Sequence, residues 1–309
     1  TYGPAMDAGI ATPDTTVYDR ALIQDEEGNP WPMNDGKYPT GRAMTVKEGM
    51  TRSLNTISAQ LLKQLTPQKS YEFMTQQLGF KLVDSRTNED GTVQSDIDLA
   101  PLALGALTDG VTVREMAGGF STFINDGVYG GTRTYTKVTD SEGNTIMENT
   151  PNTDKGFTNV RTDYYMLDCL QNVTAHGTAY GIQLDGVETG GKTGTTTSNT
   201  DIWFCGITPK YSGAVWVGYE HNYRLDGLYG RNAAEIWLAV MQKVHAGDSG
   251  RIRRILRKSP TVWIPVCWHP VRAALRDVLQ PADSGRTRFR PRPAVIRISK
   301  TSMISRAWA

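Results

Sequence analysis

The sequence is short of the residues that build metal and disulfide frameworks. It holds three cysteines, Cys169, Cys205 and Cys267, and four histidines. The cysteines are far apart and the histidines few, which argues against a disulfide scaffold and against a zinc site with ordinary ligand spacing. The thiols are expected to be buried or idle, and no metal or cofactor is expected. No run reaches the roughly 18 apolar residues of a membrane span. Thr1 opens no signal peptide. Either the chain stays inside the cell or a targeting part lies outside these 309 residues. Nor does any lysine have a serine three residues before it.

What is present is ordinary in bulk: 39% hydrophobic and 21% charged residues, enough for a packed core in one large or two medium domains. The net charge of +1 hides a division. From Asp248 onward there are 14 Lys+Arg against 3 Asp+Glu, a net of +11. Residues 1–247 therefore keep 33 − 14 = 19 basic and 32 − 3 = 29 acidic side chains, a net of −10. Lysine and arginine are balanced before the step, and arginine dominates after it. The step divides the chain into a domain at 1–247 and a tail at 248–309.

Along the first part, Gly3-Pro4, Thr12-Pro13-Asp14, Gly28-Asn29-Pro30 and Asn34-Asp35-Gly36 predict turns, with one short helix near Pro4–Ala8. Thr45 with Glu48, and Thr112 with Glu115, have the spacing of capping boxes that open helices. A helix after Asn55 places Ile57, Leu61, Leu62 and Leu65 on one face. Thr66-Pro67 opens another, closed by Gly79. From Thr132 the pattern alternates, with a turn at Ser141–Asn144, which predicts a hairpin. A helix over Tyr164–Val173 precedes three strands, Val187–Thr197, Ile202–Thr208 and Ala214–Tyr219, and Asn232–His245 closes the set. Helices, then antiparallel strands, then a last helix predict a layered α+β domain.

Two short stretches could carry chemistry. Lys192 stands between Gly191 and Thr193-Gly194-Thr195. On a strand, Lys192 and Gly194 face one way, Thr193 and Thr195 the other. A lysine ammonium beside threonine hydroxyls can hold a carboxylate, and the glycines leave room for a ligand backbone. The blander reading is an edge strand with a solvated lysine. Ser53-Leu54-Asn55 falls between two helices, so a hydroxyl and an amide can enter one cleft; the blander reading is that Asn55 caps the second helix. Asp201 reads as a structural hydrogen-bonding residue, Ser198 as a loop residue, and His176 as a loop residue without a nucleophile to serve.

Taken together, Ser53-x-Asn55 and Lys192-Thr193-Gly194 resemble the second and third motifs of penicillin-recognising serine transpeptidases. The flanks agree. GRAMTVKEGMTRSLNTISAQLL at 41–62, LALGALTDGVTVREMAGGFSTFINDGVYG at 102–130 and TGGKTGTTTSNTDIWFCGITPKYSGAVWVGYE at 189–220 are similar to class A penicillin-binding proteins, in family order. The resemblance implies a β-lactamase/transpeptidase-like α/β fold, an antiparallel sheet flanked by helices. It also implies a first motif, Ser-x-x-Lys, which this sequence lacks. TYGPAMDAGIATPDTTVYD resembles the family's sequence immediately after that motif, so Thr1 is expected to begin just past the nucleophile, leaving the fold incomplete at its N-terminus.

The implied parent is a peptidoglycan D,D-transpeptidase at the outer face of the bacterial cytoplasmic membrane, attached through an anchor before Thr1. It would cross-link stem peptides ending in D-alanyl-D-alanine through a serine acyl-enzyme, and bind β-lactams. Ser53 would relay a proton, Asn55 would hold the donor amide, and Lys192, Thr193 and Thr195, with Gly194 between them, would hold the terminal carboxylate. The Thr195 N–H would supply half of an oxyanion hole. The chain itself is expected to be inactive without the serine. The alternatives are a non-catalytic peptidoglycan or β-lactam binder, and a parent that acts as a D,D-carboxypeptidase or β-lactamase. No nucleic-acid partner is expected. The tail, with irregular arginines and prolines at 260, 265, 270 and 281, reads as a disordered basic arm for anionic polymers or, preferred here, as out-of-frame sequence.

Overall fold

The computed structural model describes residues 1–24, 27–221 and 223–252, with the backbone of 295–297. A short helix α1 (Tyr2–Asp7) opens the chain. Small pairings follow: β1 (Thr16–Tyr18) with β4 (Ala43–Thr45), and between them β2 (Ile23–Gln24) with β3 (Pro30–Trp31). Then come α2 (Val46–Thr51), α3 (Asn55–Leu65) and α4 (Pro67–Glu72). The fourth helix runs on as a π-helical turn, Phe73–Gln77, and stops at Gly79 with φ of +66°. Glycine reaches that left-handed angle without steric cost. Strands β5 (Arg86–Thr87) and β6 (Val93–Gln94) make one ribbon. Helix α5 (Val113–Ser121) precedes a second ribbon, β7 (Lys137–Thr139) with β8 (Thr145–Glu148).

Helix α6 (Thr162–His176) leads to the main sheet. Its strands are β9 (Gly190–Thr195), β10 (Asp201–Ile207) and β11 (Ser212–Gly218), paired antiparallel, with Trp203 opposite both Gly194 and Trp216. Helix α7 (Gly230–Val244) follows, and β12 (Val295–Arg297) pairs antiparallel with β11. Among the described residues the sheet order β12-β11-β10-β9 leaves β9 at an edge.

Helices cover both faces of this sheet, so all seven residues of β10 are buried. One face carries Trp203, Cys205, Ala214 and Trp216, packed under Val113 with Met116, Ala117 and Phe120 of α5. The other carries Phe204, whose ring meets Trp237 of α7 edge-on at 5.4 Å. Gly206 is needed there: a Cβ would stand 2.5 Å from the Trp237 ring. Helix α6 closes on β9, where a Gly190 Cβ would lie 3.2 Å from the Gln171 nitrogen. Trp203 and Trp237 are each almost wholly buried, and truncating such a ring typically costs about 3–5 kcal/mol.

The expected elements occur in the expected order, the small pairings β1–β4, β2–β3 and β5–β6 are additions to them, and several boundaries move. β9 is shorter than the expected Val187–Thr197. Thr196 turns the chain instead, its hydroxyl accepting from the Thr200 and Asp201 nitrogens. α6 is longer than Tyr164–Val173, and His176 is its last residue, not a loop residue. The expected alternation from Thr132 pairs only over Lys137–Thr139. The Thr112–Glu115 capping box forms both halves. At Thr45 the hydroxyl accepts from the Glu48 nitrogen, but Glu48 pairs with Arg52 at 2.7 Å instead of reaching back.

The tail expectation concerns residues largely outside those described. Those that are described engage the domain: Ile252 is 4% exposed, and its nitrogen donates to Glu188 at 2.9 Å. Gly250 also exchanges backbone bonds with Gly186 and Glu188.

Candidate active site

The site begins at the end of α2. Leu54 N–H donates to Gly49 C=O at 2.9 Å and Ser53 N–H to Met50 C=O at 3.0 Å. These bonds form a Schellman closure, whose left-handed position usually holds glycine. Here that residue is Ser53, with φ of +58°. A side chain there costs about 1 kcal/mol or more relative to glycine. Close packing fixes the turn: a Cβ on Gly49 would approach Ile57 of α3 to 2.9 Å.

Ser53 Oγ accepts from Lys192 Nζ at 2.8 Å. The same ammonium donates to the Thr193 carbonyl at 2.9 Å. Lys192 stands opposite Cys205 in the β9–β10 register. Burial lowers its pKa from the usual lysine value to about 8. Removal from water disfavours the charged form. Cys205 itself is fully buried and its thiol is pushed upward by that burial, so it stays protonated.

Asn55 is the first residue of α3; the cap position is Leu54, with no side-chain cap bond. Asn55 therefore does not cap its helix. Its Nδ2 donates to the Met33 carbonyl at 2.9 Å. Ser53, Asn55 and Lys192 line one cavity of about 310 Å³, whose wall also includes Phe73, Phe123 and Phe157. Phe157 stacks on the other two, with ring centroids 5.1 and 5.7 Å away.

The threonines lie differently. Thr193 is 8% exposed and its Oγ1 is 2.7 Å from Thr178 Oγ1. Thr195 Oγ1 accepts from Gly230 N–H, at the start of α7, at 3.2 Å. So these hydroxyls do not surround the Lys192 ammonium; they belong to the other face of β9, as strand alternation requires. Gly191 serves packing: a Cβ there would strike the Phe204 ring and lie 2.8 Å from the Cys205 carbonyl. The solvated-lysine reading is corrected, because β9 is an edge strand but Lys192 is bonded to Ser53. Asp201 is 5% exposed, accepting from Trp216 Nε1 at 2.9 Å and from Thr200 Oγ1 at 2.8 Å. Ser198 is exposed in the turn after β9.

Sequence reading missed Thr178, Asp19 and the Met33 carbonyl. No pattern pointed to Thr178, and a main-chain carbonyl leaves no mark in residue types. Among the described residues, no group of three His, Cys, Asp or Glu side chains is placed to hold a metal ion.

The profile of the penicillin binding protein transpeptidase domain matches residues 1–242. The chain belongs to the penicillin-binding protein transpeptidase family. Penicillin-binding protein 1A of Clostridium acetobutylicum is 33% identical over 249 residues, covering 78% of this chain and 29% of that protein. Penicillin-binding protein 4 of Bacillus subtilis is 29% identical over 245 residues, covering 79% and 37%. The chain thus spans about three-tenths of the length of its 1A relative. Among solved structures, the penicillin-binding protein PonA1 of Mycobacterium tuberculosis superposes with a TM-score of 0.64 at 21% identity, over 94% of this chain and 74% of that one. Penicillin-binding protein 1A of Haemophilus influenzae gives 0.59 at 20%, over 84% and 42%. The fold is that of the family's transpeptidase domains, and the expected class of layered α/β architecture stands.

Proposed function

We propose that this chain supplies the ligand-binding side of a peptidoglycan D,D-transpeptidase centre. The observation that carries this is the 2.8 Å contact between Lys192 Nζ and Ser53 Oγ. It joins the two motifs at one cavity that Asn55 also lines. In this reading Lys192 attracts the terminal carboxylate of a stem peptide or a β-lactam, and Ser53 passes a proton. Asn55 holds the donor amide. Thr193, Gly194 and Thr195 form the strand edge along which the ligand lies.

The complete reaction needs a serine oxygen to bond to the penultimate D-alanine carbonyl while terminal D-alanine leaves. A neighbouring stem's amine then displaces the serine. No Ser-x-x-Lys occurs in the 309 residues; in this reading they hold the ligand without acylating it. Loss of such a nucleophile costs on the order of 10⁶-fold in rate. The parent works at the outer face of the bacterial membrane. Among the described residues no helix is long and apolar enough to cross it.

Fluorescent penicillin tests the proposal. Reversible binding that Lys192→Ala abolishes supports it. Covalent labelling that survives denaturation would falsify the inactivity, and wild-type binding indifferent to Lys192→Ala removes the carboxylate site.

A further inference from the structure

Behind Asn55 lies a buried polar network centred on Asp19, which is 1% exposed. Its Oδ1 accepts from Asn34 Nδ2 and from Thr56 Oγ1, both at 2.7 Å. Its Oδ2 accepts from the Thr40 N–H at 2.7 Å and from the Thr40 hydroxyl at 2.8 Å. Among the described residues no cation pairs with it. A buried carboxylate without a counter-charge is costly unless several donors satisfy it. Burial raises its pKa, and these bonds outweigh that, leaving it below the usual carboxylate value.

The network leads to Asn55 by two routes. Asn34 is tied to Asp19 through its Nδ2, and its Oδ1 accepts from the Thr56 N–H at 3.2 Å. Asn34 also exchanges two backbone bonds with Lys37, each of 2.9 Å. The peptide before Asn34 is thereby held, and it carries the Met33 carbonyl that accepts from Asn55 Nδ2. By the second route Asp19 grips Thr56, the residue directly after Asn55 in α3.

The Met33 carbonyl can only accept. The end of Asn55 facing it must be the NH₂, so Oδ1 is turned the other way. The amide would otherwise flip freely between two orientations of similar shape. We propose that Asp19 is a positioning residue: through Asn34 and the Met33 carbonyl it fixes which end of the Asn55 amide faces a ligand.

A carboxylate suits this role where an amide would not. Four donors converge on Asp19, two on each oxygen. Asn at that position would set its own NH₂ against an N–H donor in either orientation, Asn34 Nδ2 or the Thr40 amide, and leave that donor unsatisfied. The proposal rests on the reading of Asn55 as a ligand contact, and the test separates the two.

The test uses the full chain carrying Asp19→Asn. The first readout is the Asn55 side-chain NH₂ pair in an ¹⁵N spectrum, assigned from its absence in Asn55→Ala. The pair is expected to lose its folded-state shifts in Asp19→Asn while the amides of β9–β11 stay in place. Unmoved Asn55 NH₂ signals in a folded Asp19→Asn protein overturn the proposal. Where Asp19→Asn does not fold, Thr40→Ala removes one donor and keeps the charge; the same shift in smaller amplitude is expected, and no shift overturns it.

The second readout is binding of diacetyl-L-lysyl-D-alanyl-D-alanine. Asp19→Asn is expected to weaken it about tenfold, the size of one lost hydrogen bond. Adding Asn55→Ala to Asp19→Asn should cost nothing further. Full additivity of the two losses counts against positioning through Asn55. If the unsubstituted chain fails to bind the peptide while Asn55 NH₂ still moves in Asp19→Asn, the ligand reading fails and the positioning stands.

Discussion

Ser53 and Lys192 are 139 residues apart in the chain and 2.8 Å apart in space. The serine sits in a left-handed conformation, with φ of +58°, at a helix end where glycine is the unstrained choice. The contact gives the hydroxyl a partner that glycine lacks. Local backbone cost and long-range hydrogen bond meet in one residue, a combination that recurs at functional sites.

That conformation separates two substitutions of Ser53. Ser53→Ala loses the Lys192 bond and keeps the left-handed cost; Ser53→Gly loses the bond and relieves the cost. Ser53→Gly is expected to be more stable than Ser53→Ala by about 1 kcal/mol, measured by urea denaturation. Equal stabilities would show that the turn relaxes in Ser53→Ala.

Ligand binding should depend on pH through Lys192. Burial lowers its pKa to about 8, so the ammonium is present below that pH and lost above it. Affinity for an anionic ligand is expected to be level from about pH 6 to 7 and to fall as pH rises through 8. Titration of peptide affinity from pH 6 to 10 reads this. A bound carboxylate favours the ammonium, so the midpoint in the complex lies higher than in the free protein.

The same shift has a stability consequence. Unfolded lysine titrates near 10.4 and the folded one near 8, so between these values the unfolded state holds more protons. Stability from this group therefore rises from pH 8 to about 10.4. Lys192→Met should flatten that rise in denaturation curves taken across the window. An unchanged slope would assign the pH dependence to other groups.

Sheet packing gives a prediction independent of the site. Gly206→Ala places a methyl 2.5 Å from the Trp237 ring, with the Phe204 ring at 2.7 Å. Overpacking of this kind typically costs about 1–3 kcal/mol, visible as a lowered midpoint of thermal unfolding. Gly143→Ala, at φ of +89° with no atom nearby, is the control. It should cost only the backbone term.

At the Thr112 cap, both halves of the capping box are present. Thr112→Ala is expected to lose about 1 kcal/mol. Thr45→Ala, with only one half formed, should lose less. Chemical denaturation of the two variants compares them.

Residue order alone determined the helices, the three long strands and the pairing of two short motifs. Caps, turn residues and apolar spacing act over a few positions, and they sit in the chain where they act. Even Trp203–Phe204, on opposite faces of β10, follow from strand alternation. Only the tertiary structure decided that Lys192 is bonded to Ser53 and not solvated, and that Thr193 and Thr195 turn to Thr178 and Gly230. It alone decided that Asn55 is held by Met33, with Asp19 behind it, and not used as a cap. The reason is physical: these choices depend on burial and on main-chain carbonyls brought together across long loops. Residue type does not encode which carbonyl will be near.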